Sequence, residues 1–184
     1  VTVTMDMTGP VNAINAEYTG AMDQTVDRLE AEEGLSGVVF ASAKKVFFAG
    51  ADLNELVLMD AGDGEALYAN GELIKRHFRR LEKLPVPVVA AINGAALGGG
   101  YELSLACNRR IAYNHKSVQI GLPECAIGVY PAGGGVVRLT KLIGVEKSLD
   151  IILKSQRLTP EKALAGGLID QLVDSIDDLI PSAK

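Results

Sequence analysis

The stretch from Leu84 to Cys107 restricts the fold more than any other part of the chain. Leu84-Pro85-Val86-Pro87 forbids helix, because proline lacks the backbone donor and pushes its predecessor into extended backbone. Val88-Val89-Ala90-Ala91-Ile92 continues as the most strand-like run in the sequence. A glycine-rich turn, Asn93-Gly94-Ala95-Ala96-Leu97-Gly98-Gly99-Gly100, leads into Tyr101-Glu102-Leu103-Ser104-Leu105-Ala106-Cys107, a small-residue helix with no charge beyond Glu102. A helix apolar on nearly all sides must be buried.

The rest of the chain repeats the alternation of strand and helix. Val1 to Met5 opens as an alternating strand, and Asn15 to Leu29 carries Tyr18, Met22, Val26 and Leu29 at helical spacing. Gly37-Val38-Val39-Phe40-Ala41 is a short buried strand, and Val46 to Gly50 reads as another, ending in a glycine turn. Ala61 to Lys83 forms a second amphipathic helix on which His77, among Lys75, Arg76, Arg79 and Arg80, is expected on a solvated basic face. Arg110-Ile111-Ala112-Tyr113 and Ser117-Val118-Gln119-Ile120 are two strands around an Asn114-His115-Lys116 turn. Further helices are expected over Val136 to Leu142, Glu146 to Lys154 and Thr159 to Ala165, the last with Thr159 as N-cap and Pro160 at its first position. A strand-like Leu168 to Val173 follows. Such alternation argues an α/β architecture, and 184 residues, 48% hydrophobic, suit a single domain over 1–184.

Composition excludes several kinds of protein. The net charge is −5, with no concentration of Lys or Arg able to neutralise a row of phosphates, so nucleic acid is not an expected partner. No apolar run approaches the ~18 residues of a membrane span and no signal peptide opens the chain, which places it in the cytoplasm. Two Cys and two His leave almost no material for a Cys/His metal site, so no metal is expected, and Cys107 and Cys125 read as small buried apolar residues.

Twenty glycines exceed the usual ~7%, and they gather in two runs, Gly98 to Gly100 and Gly133 to Gly135. Glycine lets backbone N–H groups turn toward a ligand. With the positive pole of a helix behind them, such groups can stabilise an oxygen that becomes negative during a reaction. The same residues would equally serve close helix–strand packing, while the spacing fits neither phosphate-binding glycine motif. Glu102 is costly to bury unless paired or functional, although a first-turn Glu is also favoured by the helix dipole. Glu124, after Leu122-Pro123 and among apolar neighbours, is either a turn carboxylate facing solvent or the second member of an acid/base pair.

Three segments in order, Val46 to Leu53, Pro87 to Glu102, and Ile120-Gly121-Leu122-Pro123-Glu124 through Arg138-Leu139, resemble the enoyl-CoA hydratase/isomerase (crotonase) family. The likeness runs through nearly the whole chain. In style it is most similar to bacterial fatty-acid β-oxidation members, including the hydratase portion of the multifunctional α subunit. The resemblance implies a crotonase-like spiral of ββα units and an enoyl-CoA hydratase acting on fatty acyl thioesters. The alternatives are Δ3-Δ2-enoyl-CoA isomerase activity and a silent module of a longer multifunctional protein. It implies catalytic roles for Glu102 and Glu124, an oxyanion hole from the N–H groups of Ala51 and Gly99, and a CoA channel along Phe47, Ala49, Gly50, Asp52 and Leu53. CoA arrives with the substrate, so no separate cofactor is implied. Trimer-based assembly, or membership of a fatty-acid oxidation complex, is expected of the full-length protein.

Three departures from the family pattern stand out. Glu102 and Glu124 lie 22 positions apart, wider than expected, with the surplus placed in a Tyr113 to Val118 hairpin turn. Ala132 follows Pro131 where relatives carry Gly. The sequence stops where the family continues into C-terminal helices, so it is expected to be the core of a longer polypeptide. Arg138 is expected in a structural ion pair.

Overall fold

In the computed structural model, which describes residues 1–184 with Ala61 by its backbone alone, the apolar run Val88–Ile92 lies at the centre of a five-stranded sheet. In chain order the elements are β1 (Thr2–Met5), α1 (Ala16–Ala31), β2 (Val38–Ser42), α2 (Leu53–Val57), α3 (Gly64–Glu82), β3 (Val88–Ile92), β4 (Ala96–Leu97) and α4 (Gly99–Ala106). There follow β5 (Arg109–Tyr113), β6 (Ile120–Gly121), α5 (Gly135–Ile143), α6 (Val145–Leu153), α7 (Pro160–Ala165), β7 (Gln171–Val173) and α8 (Leu179–Ala183). The large sheet runs β1-β2-β3-β5-β7 with every pairing parallel, and β4 and β6 form a second, parallel pair. Parallel neighbours require crossovers. Each crossover carries the chain through the small pair or a helix before it returns, which winds the molecule into a spiral.

The helices bury the faces that their periodicity marks. Asn15 caps α1, its Oδ1 accepting from Tyr18 N at 3.0 Å, and Tyr18, Met22, Val26 and Leu29 are buried. On α3 the buried set is Ile74, His77, Phe78 and Leu81. His77 is therefore not on a solvated face: it is 0% exposed, with Nε2 2.8 Å from Asp23 Oδ1 of α1. Three of its four basic neighbours are engaged by carboxylates, Arg80 by Asp27 and Glu30, Arg79 by Glu82, and Lys75 by Glu72.

Two expected strands differ. Val46–Gly50 forms only an isolated bridge, Phe48 to Ala96, and ends in the expected turn, where Gly50 has φ +96°. Ser117–Ile120 is not the return arm of a hairpin. Both edges of β5 are taken, by β3 and by β7, so the chain leaves the large sheet after Tyr113 and only Ile120–Gly121 pairs, with β4. In this passage His115 stacks on Tyr113 with ring centroids 5.2 Å apart. Thr159 precedes α7 and Pro160 opens it, as expected, although the Thr159 side chain makes no capping bond.

Candidate active site

The glycine run before α4 serves packing and display together. A Cβ on Gly100 would strike the Phe48 carbonyl oxygen, and one on Gly99 would strike Ile14 Cδ1. Gly98 has φ +54°, and its N–H donates to Gly121 O at 3.0 Å while its carbonyl accepts from Tyr101 and Glu102. Gly99 N–H, at the start of the helix, donates to no protein acceptor among the described residues.

Segment 47–51 is pressed against that helix start. A Cβ on Gly50 would lie 2.9 Å from Leu97 O and 3.4 Å from Gly99 N. Gly50 O accepts from Ile14 N at 2.7 Å and Asp52 N donates back to Ile14 O at 3.0 Å. In a parallel bridge this alternation turns the N–H of Ala51 away from Ile14, and it too donates to no protein acceptor among the described residues. Ala51 and Gly99 are thus brought into one neighbourhood, each with a free backbone donor.

Of the other residues expected along this segment, Ala49 is exposed, Gly50 buried and Leu53 53% exposed. Asp52 caps α2, Oδ1 accepting from Asn54 N at 2.9 Å. Phe47 is 0% exposed, packed in the main core. Its side chain lines no channel, so whatever it offers a ligand comes from its backbone. Asn12, which the sequence did not single out, holds the segment: buried, it donates from Nδ2 to Phe47 O at 3.1 Å and Ser42 Oγ at 2.9 Å, and its own carbonyl accepts from Ala49 N at 2.8 Å.

Glu102 lies one turn into α4 and is 3% exposed. Its Oε1 accepts from Gly135 N at 2.7 Å. Burial pushes its carboxyl above the usual range, opposed by the N–H groups of Gly135 and Gly133 and by the Arg138 charge. The second glycine run thus approaches the carboxylate itself: Cβ atoms on Gly133 and Gly135 would lie 2.7 and 2.9 Å from Glu102 oxygens. Glu124 opens the short 3-10 turn Glu124–Ile127. Burial pushes it up to about 7, its own backbone N–H opposing and the Glu102 charge adding. Its Oε1 would lie 3.0 Å from a Cβ on Gly98, and its Oε2 is buried without a partner among the described residues.

The Glu124 carboxyl thus lies against Gly98, next to the free Gly99 N–H, while the Glu102 carboxyl faces the second glycine run. No group of three or more His, Cys, Asp or Glu side chains placed to hold a metal ion occurs among the described residues. Arg138 forms the expected ion pair, Nε to Glu82 Oε1 at 2.6 Å.

The spiral of parallel ββα units is that of the crotonase fold. The sequence matches the enoyl-CoA hydratase/isomerase family over residues 1–183, and the chain belongs to that family. It is similar to the fatty acid oxidation complex subunit alpha of Shewanella halifaxensis, 40% identical over 174 residues that make up 93% of this chain and 24% of that protein. Among solved structures, the enoyl-CoA hydratase of Bacillus anthracis superposes with TM-score 0.90 at 32% identity, covering 99% of this chain and 69% of that one. The enoyl-CoA hydratase of Thermoplasma volcanium gives TM-score 0.89 at 29% identity, over 98% and 71%. The chain spans about a quarter of the length of the curated relatives it matches. Among the described residues, no helix is long and apolar enough to cross a membrane.

Proposed function

We propose that the chain hydrates trans-2-enoyl-CoA thioesters of fatty acyl chains. The thioester carbonyl accepts from Ala51 N–H and Gly99 N–H, and the two carboxyls hold one water. Glu102, ionised, takes a proton from that water as its oxygen bonds to C3. The C2–C3 π electrons move toward the carbonyl, and the N–H pair stabilises the resulting enolate. Glu124, protonated, delivers its proton to C2, and the Glu102 proton restores Glu124, so the net addition is one water. The observation that carries this reading is the half-buried Glu124 carboxyl against Gly98, next to the free Gly99 N–H and one helical turn from the buried Glu102. Burial raises both carboxyls, and Glu124, at about 7, is available as an acid near neutrality, while the N–H donors and Arg138 beside Glu102 oppose the rise there.

Segment 47–53 is the proposed CoA channel, through backbone groups and the exposed Leu53. Exposed apolar residues on α5 and α6, such as Val137, Val145 and Leu153, are consistent with a trimer or a larger oxidation complex. The test follows loss of the enoyl thioester chromophore with crotonyl-CoA. Glu102→Gln and Glu124→Gln should each lower hydration by roughly 10²–10⁴ with little change in KM. Unchanged turnover in either variant defeats the mechanism. A Glu124→Gln variant that loses hydration yet still interconverts 3- and 2-enoyl thioesters would establish the isomerase reading, which requires one carboxylate only.

A further inference from the structure

We propose that Arg138 is a positioning residue for Glu102: anchored on Glu82, its guanidinium holds the Gly133–Gly135 turn in the orientation that aims its N–H groups at the Glu102 carboxylate. The inference rests on the catalytic reading of Glu102 for its consequence in turnover, though not for its geometry.

Arg138 links three elements. Its Nε donates to Glu82 Oε1 at 2.6 Å, its Nη1 donates to Gly133 O at 2.9 Å, and its guanidinium carbon sits 5.8 Å over the Phe78 ring. Glu82 and Phe78 belong to α3, so the anchor lies outside both the glycine turn and α4. Peptide planarity then transmits the hold. Fixing Gly133 O fixes the plane of the 133–134 peptide, and the peptides on either side of it carry the N–H groups of Gly133 and Gly135. Gly134, with φ +103°, makes the bend between them, and its carbonyl accepts from Arg138 N at 3.0 Å.

The turn has little freedom to drift. A Cβ on Gly133 would lie 2.7 Å from Glu102 Oε2 and 3.0 Å from Phe78 Cε2, and one on Gly134 would strike Arg138 Nη1. The two donor directions suit a planar guanidinium and not a single ammonium, which cannot serve Glu82 and the Gly133 carbonyl in the same geometry.

The charged and titratable groups around Glu102 are few. They are Arg138 from α5, Tyr18 from α1 and Glu124 from the 3-10 turn; α3 presents Phe78 to this turn, and Arg110 of β5 binds carbonyls at the far end of α4. Glu82 is shared between Arg138 and Arg79. A change at Arg138 is therefore felt at Glu102 by two routes, lost charge and loosened N–H donors, which a lysine separates.

The test compares Arg138→Lys and Arg138→Met with the unaltered chain. The Glu102 carboxyl is followed by 13C NMR titration, assigned by its loss in Glu102→Gln, alongside kcat and KM for crotonyl-CoA hydration. Loosened donors favour the charged form less, so the Glu102 midpoint rises. The expected result in Arg138→Lys, whose charge is kept, is a rise of about half a unit or more. With it, kcat should fall about tenfold and KM change less than about threefold. An unmoved midpoint in folded Arg138→Lys overturns the proposal, including the case in which only Arg138→Met moves it, since charge alone then accounts for the effect. If Arg138→Met does not fold, the titration of Arg138→Lys decides by itself. If the unaltered protein does not hydrate crotonyl-CoA, the catalytic reading fails while the titration still judges the clamp.

Discussion

Glu102 and Glu124 are visible in the sequence as carboxylates among apolar neighbours, and burial raises the pKa of both, but the groups that oppose or add to the rise differ. Glu102 receives N–H donors and a cation; Glu124 has its own backbone N–H, one buried oxygen without a partner among the described residues, and a like charge nearby. The consequence for stability has a definite sign. A carboxyl whose pKa is higher folded than unfolded binds its proton more tightly in the folded chain, so stability falls as pH rises from the ordinary carboxylate range to about 7 and is flat above. Glu124→Gln removes that loss. The variant should be more stable than the parent at pH 8, by about 1 kcal/mol once screening of this partly exposed group is allowed for, and should lose the advantage near pH 4. Urea unfolding at the two pH values decides it, and an equal difference at both would count against burial as the cause of the raised Glu124 pKa. His77 shows the opposite lesson: read as one of a cluster of cations it suggests a wet face, yet Ile74, His77, Phe78 and Leu81 recur at the spacing of one buried stripe. Spacing, not the charge of its neighbours, is the signal that could have found it.

Among the elements, glycine has opposite effects according to what faces it. At the head of α4, Gly100 lets the helix rest against the Phe48 carbonyl, and a methyl group there also meets Phe48 Cβ at 2.7 Å. Gly100→Ala should therefore destabilise by about 3 kcal/mol or more, since a buried backbone contact cannot move aside. Gly71, inside α3, has nothing within 4 Å of a built Cβ. There Gly71→Ala should stabilise by about 0.5–1 kcal/mol, through helix propensity and a less mobile unfolded chain. Thermal unfolding of both variants checks the pair, and the same sign for both would refute the tight seat of α4 on Phe48. Long elements with a full apolar period, α1, α3 and β3, were legible with small shifts of boundary. The five-residue α2 was not, because it is too short to show a period and buries no residue. Val46–Gly50 and Ser117–Ile120 have strand composition, but whether a strand forms depends on a partner edge that lies elsewhere in the chain.

Across the whole molecule, distant segments are tied by a few buried polar groups. Asp170, just before β7, accepts from Arg110 N at 2.8 Å and pairs with Arg110 Nη2 at 2.7 Å, while Arg110 Nη1 donates to Cys107 O at 3.0 Å at the end of α4. Removing one partner leaves a buried guanidinium uncompensated, so Asp170→Ala should cost about 3 kcal/mol in chemical denaturation, and a loss below about 0.5 kcal/mol would show the pair to be incidental. By itself the sequence determined the α/β class, the buried helix behind a glycine run, and the two carboxylates, because periodicity and the cost of burying charge are local properties. Only the tertiary structure decided that the Ala51 segment lies against the start of α4 at Gly99, that the second glycine run closes on Glu102, and that Asn12, Glu82 and Arg138 tie these segments to the rest of the chain. Those are contacts between residues tens of positions apart, set by how parallel strands and their crossovers stack, and no local pattern encodes them.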